Sequence, residues 1–190
     1  SANRAENNLN WGVGYGGGVY AQASAVVMTN CEVRSNQFVN AFTGIGGGLA
    51  LAAGQWVLRD TVLRENSAAS WYYSPYGAGI YVGGGTHRLT NCLVQGNNAG
   101  YADGIEVAGG ALYVDHSSIV DNLGEGLRRE GGTAVVRNSI VWGNGDDAVG
   151  AVGLQYSDIE DGDSNGVAGC LATNPLLQYG YYLGAGSPCI

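Results

Sequence analysis

No lysine occurs anywhere in these 190 residues. That absence removes a Schiff-base amine, a lysine general base and a lysine-derived isopeptide link from consideration. The eight basic residues are all arginine, against sixteen Asp plus Glu, for a net charge of −8. Nucleic acid and anionic membrane surfaces are poor partners for such a balance. No apolar run approaches the ~20 residues of a spanning helix, so no transmembrane segment is expected, and no stretch carries a helix-period pattern. Neither a CxxC pair nor paired histidines accompany the four cysteines, which argues against zinc. The chain opens Ser-Ala-Asn-Arg-Ala-Glu-Asn-Asn, without the regions of a signal peptide. That opening reads as the tail of an earlier repeat, closed by Asn7 or Asn8, and the whole as a piece of something longer.

What is present is a repeat. Gly18/Asn36, Gly48/Asn66, Gly79/Asn97, Gly104/Asn122 and Gly126/Asn144 are each 18 residues apart. When the segments are superposed, one residue after the glycine stand Val19, Leu49, Ile80, Ile105 and Leu127, and ten after it Met28, Leu58, Leu89, Val114 and Val136. Thirteen after it come Cys31, Thr61, Cys92, Ser117 and Ser139, and fifteen after it Val33, Leu63, Val94, Ile119 and Val141. Polar or variable residues lie between, such as Tyr20, Ala50, Tyr81, Glu106 and Arg128 two after the glycine. Apolar positions two apart with polar ones between them are the period of a strand. Small residues six after the glycine (Ser24, Gly54, Gly85, Gly110, Gly132) mark a bend in every copy.

A unit recurring every 22 to 31 residues cannot bury its apolar face alone, but stacked copies bury a continuous core. The expectation is an all-β solenoid of about six coils. Asn36, Asn66, Asn97, Asn122 and Asn144 form its structural ladder, each side-chain amide donating to one neighbour and accepting from the other. The column Asn30, Asp60, Asn91, His116 and Asn138 is expected at another turn, where Asn and Asp bond local backbone.

The distance from each asparagine to the next glycine varies, at 12, 13, 7 and 4 residues, so all length variation sits at one corner. A turn inside a rung must keep its length, whereas a loop at one corner can grow. The loops there hold Phe38, Phe42, Trp71, Tyr72, Tyr73 and Tyr76, with Tyr101 in a third. Trp71, Tyr72, Tyr73, Tyr76 and Tyr101 are the candidate contacts for sugar rings or a protein neighbour. The alternative is that the rings pack back over the first rungs as a satellite core.

The blocks GGGVYAQAS, MTNCEVRSN, GAGIYVGGG, LTNCLVQGNN and VRNSIVWGN resemble the right-handed parallel β-helix repeats of secreted and surface-exposed bacterial proteins. The closing QYSDIEDGD, TNPLLQ and YYLGAGSPCI are similar to the end of many such domains. The resemblance implies a right-handed single-stranded parallel β-helix over residues 1–162 and a C-terminal capping segment over 163–190. It implies little about activity, because this superfold carries polysaccharide lyases, epimerases, adhesins and autotransporter passengers alike.

Cys31 and Cys92 share a column two rungs apart, about 10 Å at a rung spacing of roughly 4.8 Å, beyond disulfide reach. They are expected as buried free thiols. Cys170 and Cys189 flank the closing segment and are expected to form a bridge, in an oxidising compartment. Asp161, Asp163 and Asn165 match the opening of a calcium loop, but Ala172 stands where its bidentate Glu belongs. Calcium and an ordinary acidic turn both remain open there.

For catalysis, the outward candidates are Glu106 and Arg128, neighbours in one column, with Tyr113, Asp115 and His116 close in sequence. Tyr113-Val114-Asp115-His116 is similar to the Tyr/Asp/His sets of uronate-acting enzymes. The competing reading makes Glu106 over Arg128 an ordinary salt bridge on a solvated face, and His116 a turn residue. Arg129 stands in a column otherwise inward, and either faces out or pairs with Asp146 or Asp147. Two functions follow as expectations. The first is a non-catalytic extracellular or cell-surface module, structural or adhesive, partnered by its own copies stacked end to end. The alternative is a carbohydrate-active enzyme or a glycan-binding module, partnered by polysaccharide.

Overall fold

The computed structural model describes residues 4–7, 13–22, 25–40, 43–70, 75–100, 102–179 and 181–190. Each coil gives one short strand to each of three six-stranded sheets, paired in parallel with the coils before and after it. The first sheet holds Val19–Ala21, Leu49–Leu51, Ile80–Val82, Ile105–Val107, Glu125–Arg129 and Asp146–Val149. The second holds Ala25–Thr29, Gln55–Arg59, Thr86–Thr90, Ala111–Asp115, Thr133–Arg137 and Gly153–Gln155. The third holds Glu32–Arg34, Val62–Arg64, Leu93–Gln95, Ser118–Val120, Ile140–Trp142 and Asp158–Ile159. This is a parallel β-helix, and among the described residues no helix is long and apolar enough to cross a membrane.

Alternation decides which side chains enter the lumen. Leu49 and Leu51, Ile80 and Val82, Leu89, Val114 and Ile119 are fully or almost fully buried along one continuous core. Large branched side chains remove most apolar area per residue, about 1.5–3 kcal/mol each for complete burial. His87 also points inward, in register with Trp56 and Leu112. Its Nε2 reaches Gly84 O at 2.6 Å, while its Nδ1 and Trp56 Nε1 have no partner. Burial pushes its pKa down.

The 18-residue interval has a direct physical origin, because each glycine touches the asparagine that ends its own coil. A methyl on Gly48 would stand 2.6 Å from Gly79 O and 3.0 Å from Asn66 Nδ2. The coil closes at that contact, and the chain beyond the asparagine is then free to vary in length. Asn36, Asn66, Asn97 and Asn122 each donate from Nδ2 to Oδ1 of the next asparagine at 2.9–3.0 Å. That same Oδ1 accepts the backbone N–H of the previous asparagine, as from Asn97 to Asn122 at 3.1 Å. The ladder ends on a carboxylate, since Asn144 Nδ2 donates to Asp147 Oδ1 at 2.9 Å.

At the other turn Asn30, Asp60, Asn91, His116 and Asn138 all have φ between 47° and 53°. Asn and Asp tolerate this left-handed region better than most residues, so His116 occupies a backbone position. The serine and cysteine column is a second ladder. Ser117 Oγ accepts from Cys92 N at 3.0 Å and donates to Asp115 O at 2.8 Å, and Ser139 repeats both bonds.

That second ladder corrects the expected disulfide. All four cysteines are free. Leu171 forms a parallel bridge with Asp158, which places Cys170 beside Ser157 at the end of the same column, buried in the core. Cys189 lies on the outer side of this rung, its thiol donating to Asp158 Oδ2 at 3.1 Å. Cys31 is half-buried rather than buried, because its coil is the outermost in the sheet, while Cys92 is buried as expected.

Candidate functional site

The position two after each glycine points outward from the first sheet and stacks Tyr20, Ala50, Tyr81, Glu106, Arg128 and Val149 in register. Tyr15, from the strand Val13–Tyr15, leans over the start of this row. Its ring lies 5.3 Å from that of Tyr20 in a stacked pair and 6.4 Å from that of Tyr81. Ala50, the small residue between Tyr20 and Tyr81, is completely buried beneath them. Tyr15 and Tyr20 remain 40% and 44% exposed, and so offer ring surface to a partner. Alternating Tyr, Ala and Tyr in one column therefore builds an aromatic platform across about 10 Å of the rod.

Beyond the platform lies Glu106, only 1% exposed, with Oε2 lacking any hydrogen-bond partner. Burial, aided by Glu130 and Glu125 and opposed by Arg128, pushes its carboxyl up to about 8. The competing reading, which put Glu106 on a solvated face, is overturned by this burial. Arg128 instead turns its fork to Glu125, with Nε–Oε2 at 2.5 Å and Nη2–Oε1 at 2.6 Å, and has Glu130 at 3.7 Å on Nη1. A bidentate pair satisfies the planar guanidinium better than a single carboxyl on the adjacent rung. Tyr81 is pushed up as well, first by burial and then by the tyrosine and glutamate groups around it.

The remaining catalytic candidates stand elsewhere. Tyr113 and Asp115 face outward on the second sheet, Tyr113 beneath the Arg88 guanidinium at 4.5 Å from its ring centroid. Asp115 accepts from Asn138 Nδ2 at 2.8 Å and lies 3.2 Å from the exposed His116 Nδ1. The five candidates therefore fall on different faces of the coil. Arg129 faces neither Asp146 nor Asp147 but donates to Gly132 O at 3.0 and 2.8 Å.

Of the aromatic loop residues, Tyr76 is half-buried and bridges to Ile45 beside the platform. Trp71, Tyr72, Tyr73, Tyr101 and Phe42 lie outside the described residues. Phe38 is buried in the short strand Gln37–Asn40, so for this ring packing is the outcome. At the calcium candidate, Asp161 accepts from Asp163 N through Oδ1 and from Asp147 N through Oδ2. Asn165 N donates to Gly162 O. Among the described residues no group of three or more His, Cys, Asp or Glu is placed to hold a metal ion.

Sequence reasoning did not find the burial or the roles of three carboxylates. Asp103 accepts Ala99 N and Gly100 N, both at 2.7 Å, and fixes a corner loop. Asp147, pushed up by burial to about 6, accepts Glu160 N at 2.6 Å in addition to the last ladder amide. Asp158 accepts Thr173 N at 3.0 Å as well as the Cys189 thiol. Only the Asp103–Gly104 neighbourhood carried a signal, a charged residue directly before a repeat glycine. A cavity of about 560 Å³ lies under the closing segment, lined by Tyr156, Leu171, Tyr181 and Cys189 among others. Burial and then Asp158 push the Cys189 thiol there up to about 11, which disfavours the thiolate a nucleophile needs.

The family described as right handed beta helix region matches residues 49–187. No curated protein and no solved structure matches the chain.

Proposed function

The chain belongs to the right-handed β-helix family, and on that premise we propose that it is a non-catalytic extracellular module that adheres to polysaccharide. The observation that carries this reading is the Tyr15, Tyr20 and Tyr81 cluster on one outward face, with two of its rings open to solvent. Flat rings in a row suit the apolar faces of sugar rings, and each stacking contact contributes about 0.5–1.5 kcal/mol. The extracellular setting rests on the family, whose fold is often found there.

The enzyme alternative receives less support. A lyase needs a base and a neutraliser converging on one sugar, whereas Glu106 is closed off from solvent and Arg128 is engaged by Glu125. Tyr113, Asp115 and His116 lie around a corner from both. Affinity electrophoresis in gels cast with polysaccharides tests the reading. Tyr15→Ala and Tyr20→Ala should each weaken retardation about 3–10-fold, as expected from one ring contact. Retardation equal to that of the wild type in the double variant would refute it.

End-to-end association of copies is a second reading, favoured by the charge distribution. Through residue 95 the chain has five arginines and four acids; the remainder has three arginines and twelve acids. In a solenoid, chain order is axial order, so the rod is polarised, and the acidic end of one copy suits the opposite end of another. Sedimentation velocity at 20 mM and 500 mM salt checks this, and a strict monomer at both rules it out.

A further inference from the structure

Resting on the glycan-binding reading above, we infer that the Tyr15–Tyr20–Tyr81 face takes uncharged sugar chains and rejects uronate polymers, because among the described residues the cation in the row, Arg128, is already engaged by acids of this chain. Recognition of a uronate needs a cation or a cluster of N–H donors turned toward its carboxylate. The cation in the outward column is Arg128, and its fork is held by both oxygens of Glu125, with Glu130 on the remaining side. A ligand carboxylate at Arg128 would have to displace an intramolecular bidentate pair that loses no translational freedom when it forms.

Among the described residues the row offers no substitute further along. Glu106, between the tyrosines and Arg128, contributes a carboxyl and no positive charge. In the next coil Asp146 stands in register with Glu125, and burial, followed by a side-chain hydrogen bond with Asp161, raises its pKa. A polymer running along the rod past the buried Glu106 therefore meets the carboxylates of Glu125 and Glu130 and, in the next coil, Asp146. Each uronate would add like-charge repulsion there, whereas a neutral chain carries no charge to be repelled. Neutral hexose polymers, such as β-glucan or galactomannan, fit this chemistry.

The experiment compares the whole chain in affinity gels containing barley β-glucan, galactomannan or polygalacturonate at 20 mM salt and pH 7. The expected result is retardation by a neutral polymer at least tenfold stronger than by polygalacturonate. In a Glu125→Gln/Glu130→Gln variant, which opens the Arg128 fork, retardation by polygalacturonate should rise about tenfold while that by the neutral polymer holds. Polygalacturonate binding equal to or tighter than neutral-polymer binding in the wild type overturns the inference and leaves the adhesive reading standing. Retardation by none of the three, with a folded protein by circular dichroism, overturns both.

Discussion

Replacing Glu106 by Gln should stabilise the protein, and by more as the pH rises. The carboxyl is buried without a partner for Oε2, and its pKa is raised from the ordinary 4.5 to about 8. The unfolded chain releases this proton near 4.5 while the folded chain holds it to about 8, so across that window the unfolded state binds fewer protons. Stability from this group is fully present below the unfolded value and is lost as pH rises through the folded one. At about 1.36 kcal/mol per unit, the 3.5-unit difference corresponds to roughly 5 kcal/mol above pH 8, and to about 3 kcal/mol at pH 7. Gln is nearly isosteric with the protonated acid and cannot ionise, so its variant should match the wild type at pH 4.5. It should then exceed the wild type progressively up to pH 9. Urea unfolding of both proteins at pH 4.5, 7 and 9 measures this, and Asp147, also raised, cancels because both proteins carry it. An intact Glu106–Arg128 ion pair would give the opposite sign, with Gln destabilising at pH 7. Parallel stability curves, or a less stable Gln variant at pH 9, would refute the reasoning.

Asn97→Ala removes an amide that donates to Leu63 O and Asn122 Oδ1 and accepts from Asn66 N and Nδ2. With several buried groups stranded at ~1–3 kcal/mol each, a loss of about 3–5 kcal/mol is expected in urea unfolding, and one under 1 kcal/mol would remove the ladder from the stability account. Thiol titration of the urea-unfolded, unreduced protein should return four reactive thiols; two would restore the Cys170–Cys189 bridge. His87, held neutral by burial with its pKa lowered from 6.5, binds fewer protons when folded than when unfolded. Stability from it is present above pH 6.5 and is lost on acidification through the folded value. His87→Leu should accordingly gain stability relative to the wild type as the pH falls from 7 to 5, and a constant difference between the two proteins would show that the ring does not titrate on unfolding.

The repeat was readable because a solenoid makes the same contact in every coil. Gly48 and Asn66 meet across one coil as Gly18 and Asn36 do across another, and a recurring contact leaves a recurring pair of residues. Cys170 was misread because the final coil is shorter, so spacing counted along the chain no longer gave its column, which only the pairing of Leu171 with Asp158 reveals. Column adjacency alone sets Arg128 beside Glu106. Adjacency gives proximity, but the guanidinium fork chose the partner that could offer both oxygens, three residues away on its own strand. The longest loops are rich in aromatics by composition, whereas among the described residues exposed rings cluster at Tyr15 and Tyr20 and at Tyr181 and Tyr182, outside those loops.

By itself the sequence determined the solenoid, its inward columns, the asparagine ladder and the corner where length varies, since all of these follow from contacts between equivalent residues in neighbouring coils. Only the tertiary structure decided which outward groups are covered, which carboxylate holds Arg128 and which side of the last rung each cysteine takes. Those outcomes depend on segments that occur once, and what occurs once leaves no periodic trace in a chain.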